Sequence, residues 1–269
     1  MNLNGNLLND STDITALIIL DTSFEPGKDT VQKFEFFYDN EGRRIREVVT
    51  EYQPGVAGTS AILITHFFNY DFAGINPLPY TMLQEYIPAS GTLTFGSEHF
   101  FFYEDGLLVM DSISFRTSDN AYRVDEFREI NSSRYLLPGR WGDNTGVLSE
   151  DTAYSSVVWA DSNLLSQKDT LILSGGTGFQ VIPHTLTYDN IRNPFLRILL
   201  PYPTPCPTAG VTYGIAEFIF PTRNNIHTWN YDGIISTRNY EYGANGLPAV
   251  AREFESGTVQ KWVYKYTKL

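Results

Sequence analysis

One cysteine, Cys206, stands in 269 residues, so neither an intramolecular disulfide nor a cysteine-based metal centre can form. It lies among prolines at 201–207, with no histidine close in sequence, which argues against an activated thiol. No apolar run reaches the length of about 18 residues that a spanning helix needs. The opening twenty residues have no basic start and only a short apolar run, so they do not read as a secretory signal. An exported protein would then carry its signal upstream of this sequence, with Met1 as a cloning start. Basic blocks are missing too: "GRRIR" at 42–46 is too short to track a phosphate backbone, and 31 acidic residues against 19 basic ones give a net charge of −12. That balance excludes nucleic acid as a partner and supports solubility. The Gly-rich stretch "LSGGTGFQ" at 173–180 lacks the Gly-Lys-Ser/Thr ending of a phosphate loop, and no Gly-x-Ser-x-Gly elbow is present.

Strands and turns are what the chain does have. Seventeen tyrosines and 18 phenylalanines suit pleated, half-buried surfaces. Compact or alternating runs such as Thr15–Leu20, Val31–Tyr38, Arg44–Tyr52 and Ala249–Phe254 are separated by "DNEG", "EDG", "YDG", "GANG" and "ESG", all turn chemistry. Helical signal is confined to a turn or two within Pro77–Ile87 and a short segment at Pro194–Leu200, with Pro194 in the first turn and Pro201 ending it. "YPTPCPTAG" reads as a connector. The expectation is one all-β domain over 1–269. It is a single large antiparallel meander of repeated hairpins, open or curled, with few short helices and an irregular insertion at about 117–152.

One motif recurs. "KFEFFYDNEGRRIREV" from Lys33, "HFFNYDFAGINPLPY" from His66, "HFFFYEDGLLVMDSI" from His99, "HTLTYDNIRNPFLRI" from His184 and "HTWNYDGII" from His227 each bring an aromatic strand to a Tyr-Asp or Tyr-Glu turn. The pattern resembles YD-repeat (Rhs-like) sequences. Together with "LDTSFEPGKDTVQKFEFFYDNEGRR" and the C-terminal "YEYGANGLPAVAREFESGTVQKWVYKY", it more closely resembles a group of exported or lipid-anchored Bacteroidetes proteins of unknown function. That resemblance implies a repetitive antiparallel sheet and an envelope or extracellular location, and it carries no activity with it. The repeat is not strict: Tyr38, Tyr70 and Tyr103 are spaced by 32 and 33 residues, Tyr188 and Tyr231 by 43, and Glu104 replaces Asp. A shorter open or curled sheet therefore fits better than a regular Rhs shell.

The residues offer four candidate chemistries. Asp39, Asp71, Asp189 and Asp232 either ligate Ca²⁺ or cap turns; "DNEG" supplies too few oxygens for a calcium loop, and capping is the economical reading. His66, His99, His184 and His227 each precede a turn tyrosine by four residues, which puts histidine and tyrosine on one strand face. In register they would form a metal site, and otherwise they occupy a repeat position that Phe34 fills in the first repeat. Carboxylate pairs such as Glu98 with Asp105, or Asp125 with Glu129, would serve a glycosidase, although 31 carboxylates guarantee chance pairs. Trp159, Trp229 and Trp262 read as core, whereas Trp141, in a polar loop beside Arg140 and Asp143, is the candidate ligand contact. The functional expectation is a non-catalytic, monomeric exported module without a cofactor. Its partner would be a polysaccharide or another envelope protein, and it would touch the membrane only through a lipid anchor. A carbohydrate-active enzyme and a metal-binding module are the alternatives.

Overall fold

The computed structural model describes residues 12–53, 55, 60–70, 79–88, 95–104, 107–116, 120–130, 133–136, 139–146, 149–150, 153–160, 163–172, 178–197 and 222–268. Its strands are β1 (Thr12–Asp21), β2 (Thr30–Tyr38), β3 (Arg44–Tyr52), β4 (Ser60–Asn69), β5 (Thr81–Pro88), β6 (Phe95–Glu104), β7 (Leu107–Phe115), β8 (Tyr122–Ile130) and β9 (Ser133–Leu136). They continue as β10 (Arg140–Gly142), β11 (Ser149–Glu150), β12 (Ala153–Ala160), β13 (Asn163–Ile172), β14 (Phe179–Arg192), β15 (Asn224–Tyr231), β16 (Ile234–Tyr242), β17 (Pro248–Glu255) and β18 (Thr258–Lys268).

All pairings among the described strands are antiparallel, as a chain of consecutive hairpins dictates. Each strand from β1 to β9 pairs with the next, β9 pairs with β12, and β12 to β18 again pair in succession. β1 pairs with both β2 and β18, so the curled sheet brings its first and last strands side by side. The expected meander is therefore present in its curled form. The stretch expected as an irregular insertion supplies β8 and β9 to the sheet. The β10–β11 hairpin sits beside them, with Arg140, Trp141 and Gly142 opposite Val124, Arg123 and Tyr122.

Alternation decides which side chains face inward. Phe34 and Phe36 on β2 are buried, while Lys33, Glu35 and Phe37, which alternate with them, face out. On β1, Ile14 and Leu17 are both buried although three residues apart. A bulge between Ile14 and Ala16 restores the phase. The largest apolar cluster lies where the chain's ends meet: Ile14, Leu17 and Ile19 pack with Phe34, Val49, Trp262 and Tyr264. Into it drops Phe195, on a 3-10 turn at Pro194–Arg197, its ring 6.4 Å from Phe36 and 5.9 Å from Tyr264. Asn193 caps that turn by accepting the Phe195 N–H at 2.9 Å. The short helix expected at Pro194–Leu200 is thus this single turn, with 198–200 outside the described residues. Pro77–Ile87, read as helical, is β5 over most of its length, because Met82, Gln84 and Tyr86 follow period two and face in with the neighbouring strands. Cys206 and its proline-rich connector lie outside the described residues, as does Asp71.

Four of the five recurring tyrosines, joined by Tyr240 and Tyr266, share one role, whereas Tyr231, on β15, lies against the His184 ring. Tyr38, Tyr70, Tyr103, Tyr240 and Tyr266 each stand within two residues of the end of an even-numbered strand, and Tyr188 stands four residues before the end of β14. Each donates its hydroxyl to a backbone carbonyl at or near the start of the preceding strand: Ile14, Arg44, Pro79, Leu164, Ile226 and Pro248 respectively, all at 2.6–2.7 Å. The following acid works on the turn. Asp39 accepts from the Glu41 and Arg43 N–H groups at 2.9 Å and from Arg43 Nε at 2.7 Å. Partial burial disfavours its charged form, yet those bonds and the Arg43 charge hold its carboxyl below the usual range. Asp189 likewise accepts from the Ile191 N–H at 2.9 Å, but within β14, where the register is irregular between Tyr188 and Arg192. Asp232–Gly233, with φ of 47° and 87°, and Ser256–Gly257, with the same values, are two-residue hairpin turns of the left-handed kind.

Candidate functional site

The inward face carries chemistry that apolar cores avoid: a set of buried acids, each with a buried partner. On β3, Arg44 Nη1 meets Glu47 Oε2 at 2.7 Å, and His66 Nδ1 on β4 lies 3.8 Å from Glu47 Oε1. Arg44 also covers the Phe68 ring, its guanidinium carbon 4.0 Å from the centroid. On β13 and β14, Asp169 accepts from Gln167 Nε2 at 2.6 Å and contacts His184 Nε2 at 2.8 Å. Trp229 Nε1 can only donate, and it points at His184 Nδ1 at 3.2 Å, so Nε2 carries the ring proton towards Asp169. On β16 and β17, Glu253 accepts from Ser236 and from Arg238 Nε, the latter at 3.0 Å, while Arg238 lies 4.0 Å over the Trp262 ring. Burial is the largest single influence on Arg238 and would lower its pKa; the Glu253 charge and hydrogen bond, together with Tyr240 and Tyr264, outweigh it and the value is raised.

The fourth cluster has the bonding order of a hydrolytic triad. Ser97 Oγ is 3.2 Å from His99 Nε2, and His99 Nδ1 is 2.9 Å from Asp111 Oδ2. Asp111 accepts the Nδ1–H, the tautomer in which Nε2 can accept from the serine as a nucleophilic serine requires, although the Ser97 hydroxyl also lies 3.5 Å from Gln84 Oε1. The resemblance ends at access. Ser97 and His99 are 1% exposed and Asp111 is not exposed at all, with Gln84 and Met82 on the next strand directly opposite Ser97 and His99. A substrate carbonyl cannot reach Ser97 Oγ without opening the sheet. What this array does is satisfy three polar groups in a dry interior.

The histidines expected to share a metal are engaged separately: His66 faces Glu47, His99 bonds Asp111, His184 bonds Asp169, and His227 Nδ1 lies 2.9 Å from the Arg238 carbonyl. Among the described residues, no group of three or more His, Cys, Asp or Glu side chains is placed to hold a metal ion. The four-residue offset does put His66, His99 and His184 on the inward face with their tyrosines. His227 breaks the pattern because a bulge next to it shifts the register between Thr187 and Tyr188, leaving its side chain exposed. Asp105 lies outside the described residues, and Asp125 is bound by Arg123 Nε at 2.8 Å.

Trp141 is half-buried. Phe115 stacks on it with centroids 5.4 Å apart, and the Arg123 guanidinium lies 4.9 Å from its centroid. Arg140 pairs with Glu126, and Asp143 accepts from the Thr145 N–H and hydroxyl in its own turn. The two glycines of "PGRWG" explain how this hairpin fits. A Cβ on Gly139 would stand 2.6 Å from Arg123 Nη2 and 2.7 Å from Asp125 Oδ1, and one on Gly142 would stand 2.4 Å from Tyr122 Cζ. Gly139→Ala is therefore expected to destabilise by about 1–3 kcal/mol, since the buried ion pair cannot step aside. Urea titration measures this, and an unchanged midpoint would show that the pair yields.

Sequence reading missed Glu47, Asp111, Asp169 and Glu253, the acids that organise the interior. A signal existed: each falls on the inward phase of its strand, as Asp111 does two residues before buried Ile113.

No family model matches the sequence, and no curated protein matches it. Among solved structures, a porin-like protein from Bacteroides uniformis superposes with a TM-score of 0.52 at 12% identity, over 94% of this chain and 98% of that one. A porin-like protein from Bacteroides vulgatus gives 0.47 at 10% identity, over 96% and 100% of the two chains. What the chain shares with the first of these, at such low identity, is a fold.

Proposed function

We propose that this chain is a non-catalytic module of the bacterial envelope, exported and tethered by an upstream lipid anchor, that acts by binding another envelope component. The observation that carries this reading is the filled interior. Charged and polar inward side chains such as Glu47, His99, Asp111, Arg123 and Arg238 are buried against one another, where a pore would leave them wet. The outer face supports it as well. Lys33, Glu85, Glu98, Lys168 and Arg252 point outward from the central parts of β2, β5, β6, β13 and β17. At a bilayer midplane each Lys or Arg would cost about 2–4 kcal/mol, so this face suits water better than lipid. The likeness in fold to a Bacteroides porin-like protein fits an envelope setting.

Three measurements test the reading. Purified protein added to planar bilayers is expected to give no conductance steps. A fluorophosphonate probe is expected to leave Ser97 unmodified by mass spectrometry. Cell fractionation is expected to recover the native protein with the envelope. Conductance steps would make it a channel, an adduct on Ser97 would make it a hydrolase, and recovery in the cytosol would end the envelope assignment.

A further inference from the structure

Among the described residues of this acidic chain, the outward face of β16–β18 gathers Arg252, Lys261 and Lys265, with Glu241 beside Arg252. Of the chain's six lysines, three lie in β18, at 261, 265 and 268. Trp262 and Tyr264 point inward, so Lys261, Val263 and Lys265 point out. Register places Arg252 of β17 directly opposite Lys261, with Asn239 of β16 opposite Arg252 in turn. Asn239 and Arg252 are exposed, giving a row of three donors across three strands. Two cations directly opposite each other on neighbouring strands repel and weaken a sheet. Glu241 pairs with Arg252, but among the described residues neither Lys261 nor Lys265 has a carboxylate within ion-pair distance. On the far side of β18, Lys33 of β2 adds a further outward cation, paired with Glu35 at 2.7 Å. Between these cations runs an aliphatic row, Val250, Val263 and Ile18, in direct register.

From this we infer that the outward face of β16–β18 binds an acidic polysaccharide, whose carboxylates bridge Arg252 and Lys261 and continue to Lys265. Four residues along one strand separate the two lysines by roughly 13 Å, a spacing that suits an extended polyanion lying along the strand. The net charge of −12 decides between polymer and membrane. An anionic bilayer is a plane and meets the acidic remainder of the protein, whereas a thin chain stays within about 10 Å of the cations, the reach of a charge at moderate salt. The inference rests on the envelope-module reading and names its ligand class.

Affinity electrophoresis tests it with polygalacturonate in the gel, neutral dextran as the control, and phosphatidylglycerol vesicles in a separate sedimentation arm. The wild-type protein is expected to be retarded by polygalacturonate alone, with retardation fading towards about 0.3 M salt as screening tightens. Lys261→Glu with Lys265→Glu is expected to abolish the retardation, while Lys168→Glu, on distant β13, is expected to keep it. Lys261→Glu sets an acid opposite Arg252, so that variant is expected to melt higher while binding less, which separates binding from misfolding. Equal retardation of wild type and the double variant, none for either, or vesicle binding without retardation would overturn the inference. Such a failure with the protein still in the envelope fraction would leave the broader reading standing.

Discussion

Glu253→Ala is expected to lower the free energy of unfolding by about 3–5 kcal/mol, the cost of stranding a buried charge. Arg238 would lose its carboxylate while still enclosed by β16, β17 and the Trp262 ring. Ser236 would lose its acceptor in the same step. The paired replacement Arg238→Met with Glu253→Leu removes both charges and keeps the volume, and is expected to recover most of the loss, because a well-packed apolar pair can equal a buried ion pair. Denaturant unfolding of Arg238→Met, Glu253→Leu and the double variant gives the coupling directly. Additive losses would mean that the two groups do not depend on each other.

Alkali is expected to unfold this protein steeply. Burial raises the hydroxyl pKa of Tyr70 to about 12, and it raises those of Tyr103, Tyr188, Tyr240 and Tyr266 as well. In the unfolded chain a tyrosine ionises near pH 10. The folded state therefore keeps protons that the unfolded state releases. Stability is fully present below about pH 10 and is lost as pH rises towards the folded values. Each such tyrosine contributes up to about 1.4 kcal/mol per pH unit above its unfolded pKa, and five acting together make the transition sharp. Tyrosinate absorbance and circular dichroism should then change together. Early ionisation near pH 10 with an intact sheet would refute the tyrosine latches.

Those latches mark how far the sequence could be read. Strand identity was visible in the period-two runs, and the turn acids in their Asp-x-x-Gly setting, because both signals are local. The hydroxyl bond from Tyr38 to the Ile14 carbonyl spans 24 residues, and no pattern within one strand announces it. The interior acids show the same division. Glu47 and Asp169 have the phase of inward positions, but their compatibility with burial depends on Arg44, His66, Gln167 and His184, three of them brought close by bonds and one by register. Trp141 was singled out for its polar loop. Its half-buried state comes from Phe115 and Arg123, strands away in sequence. The turn or two of helix expected within Pro77–Ile87 is strand from Thr81 onward, because the neighbouring strands make its period of two decisive.

The meeting of β1 with β18 also governs the order in which the chain can fold. Every hairpin can form as soon as its second strand exists, but β1 gains its second partner only when residues about 240 positions away have been made. Closing a loop of that size costs about 3 kcal/mol more than closing a ten-residue hairpin, so this junction is the slow step. Until then the apolar edge of β1, Ala16–Leu20, waits with one side of its backbone unpaired, a template for any other strand. Loss of β18 would fix the molecule in that waiting state, with β1 and β17 each left with one side unpaired, and aggregation would follow from the missing partner alone.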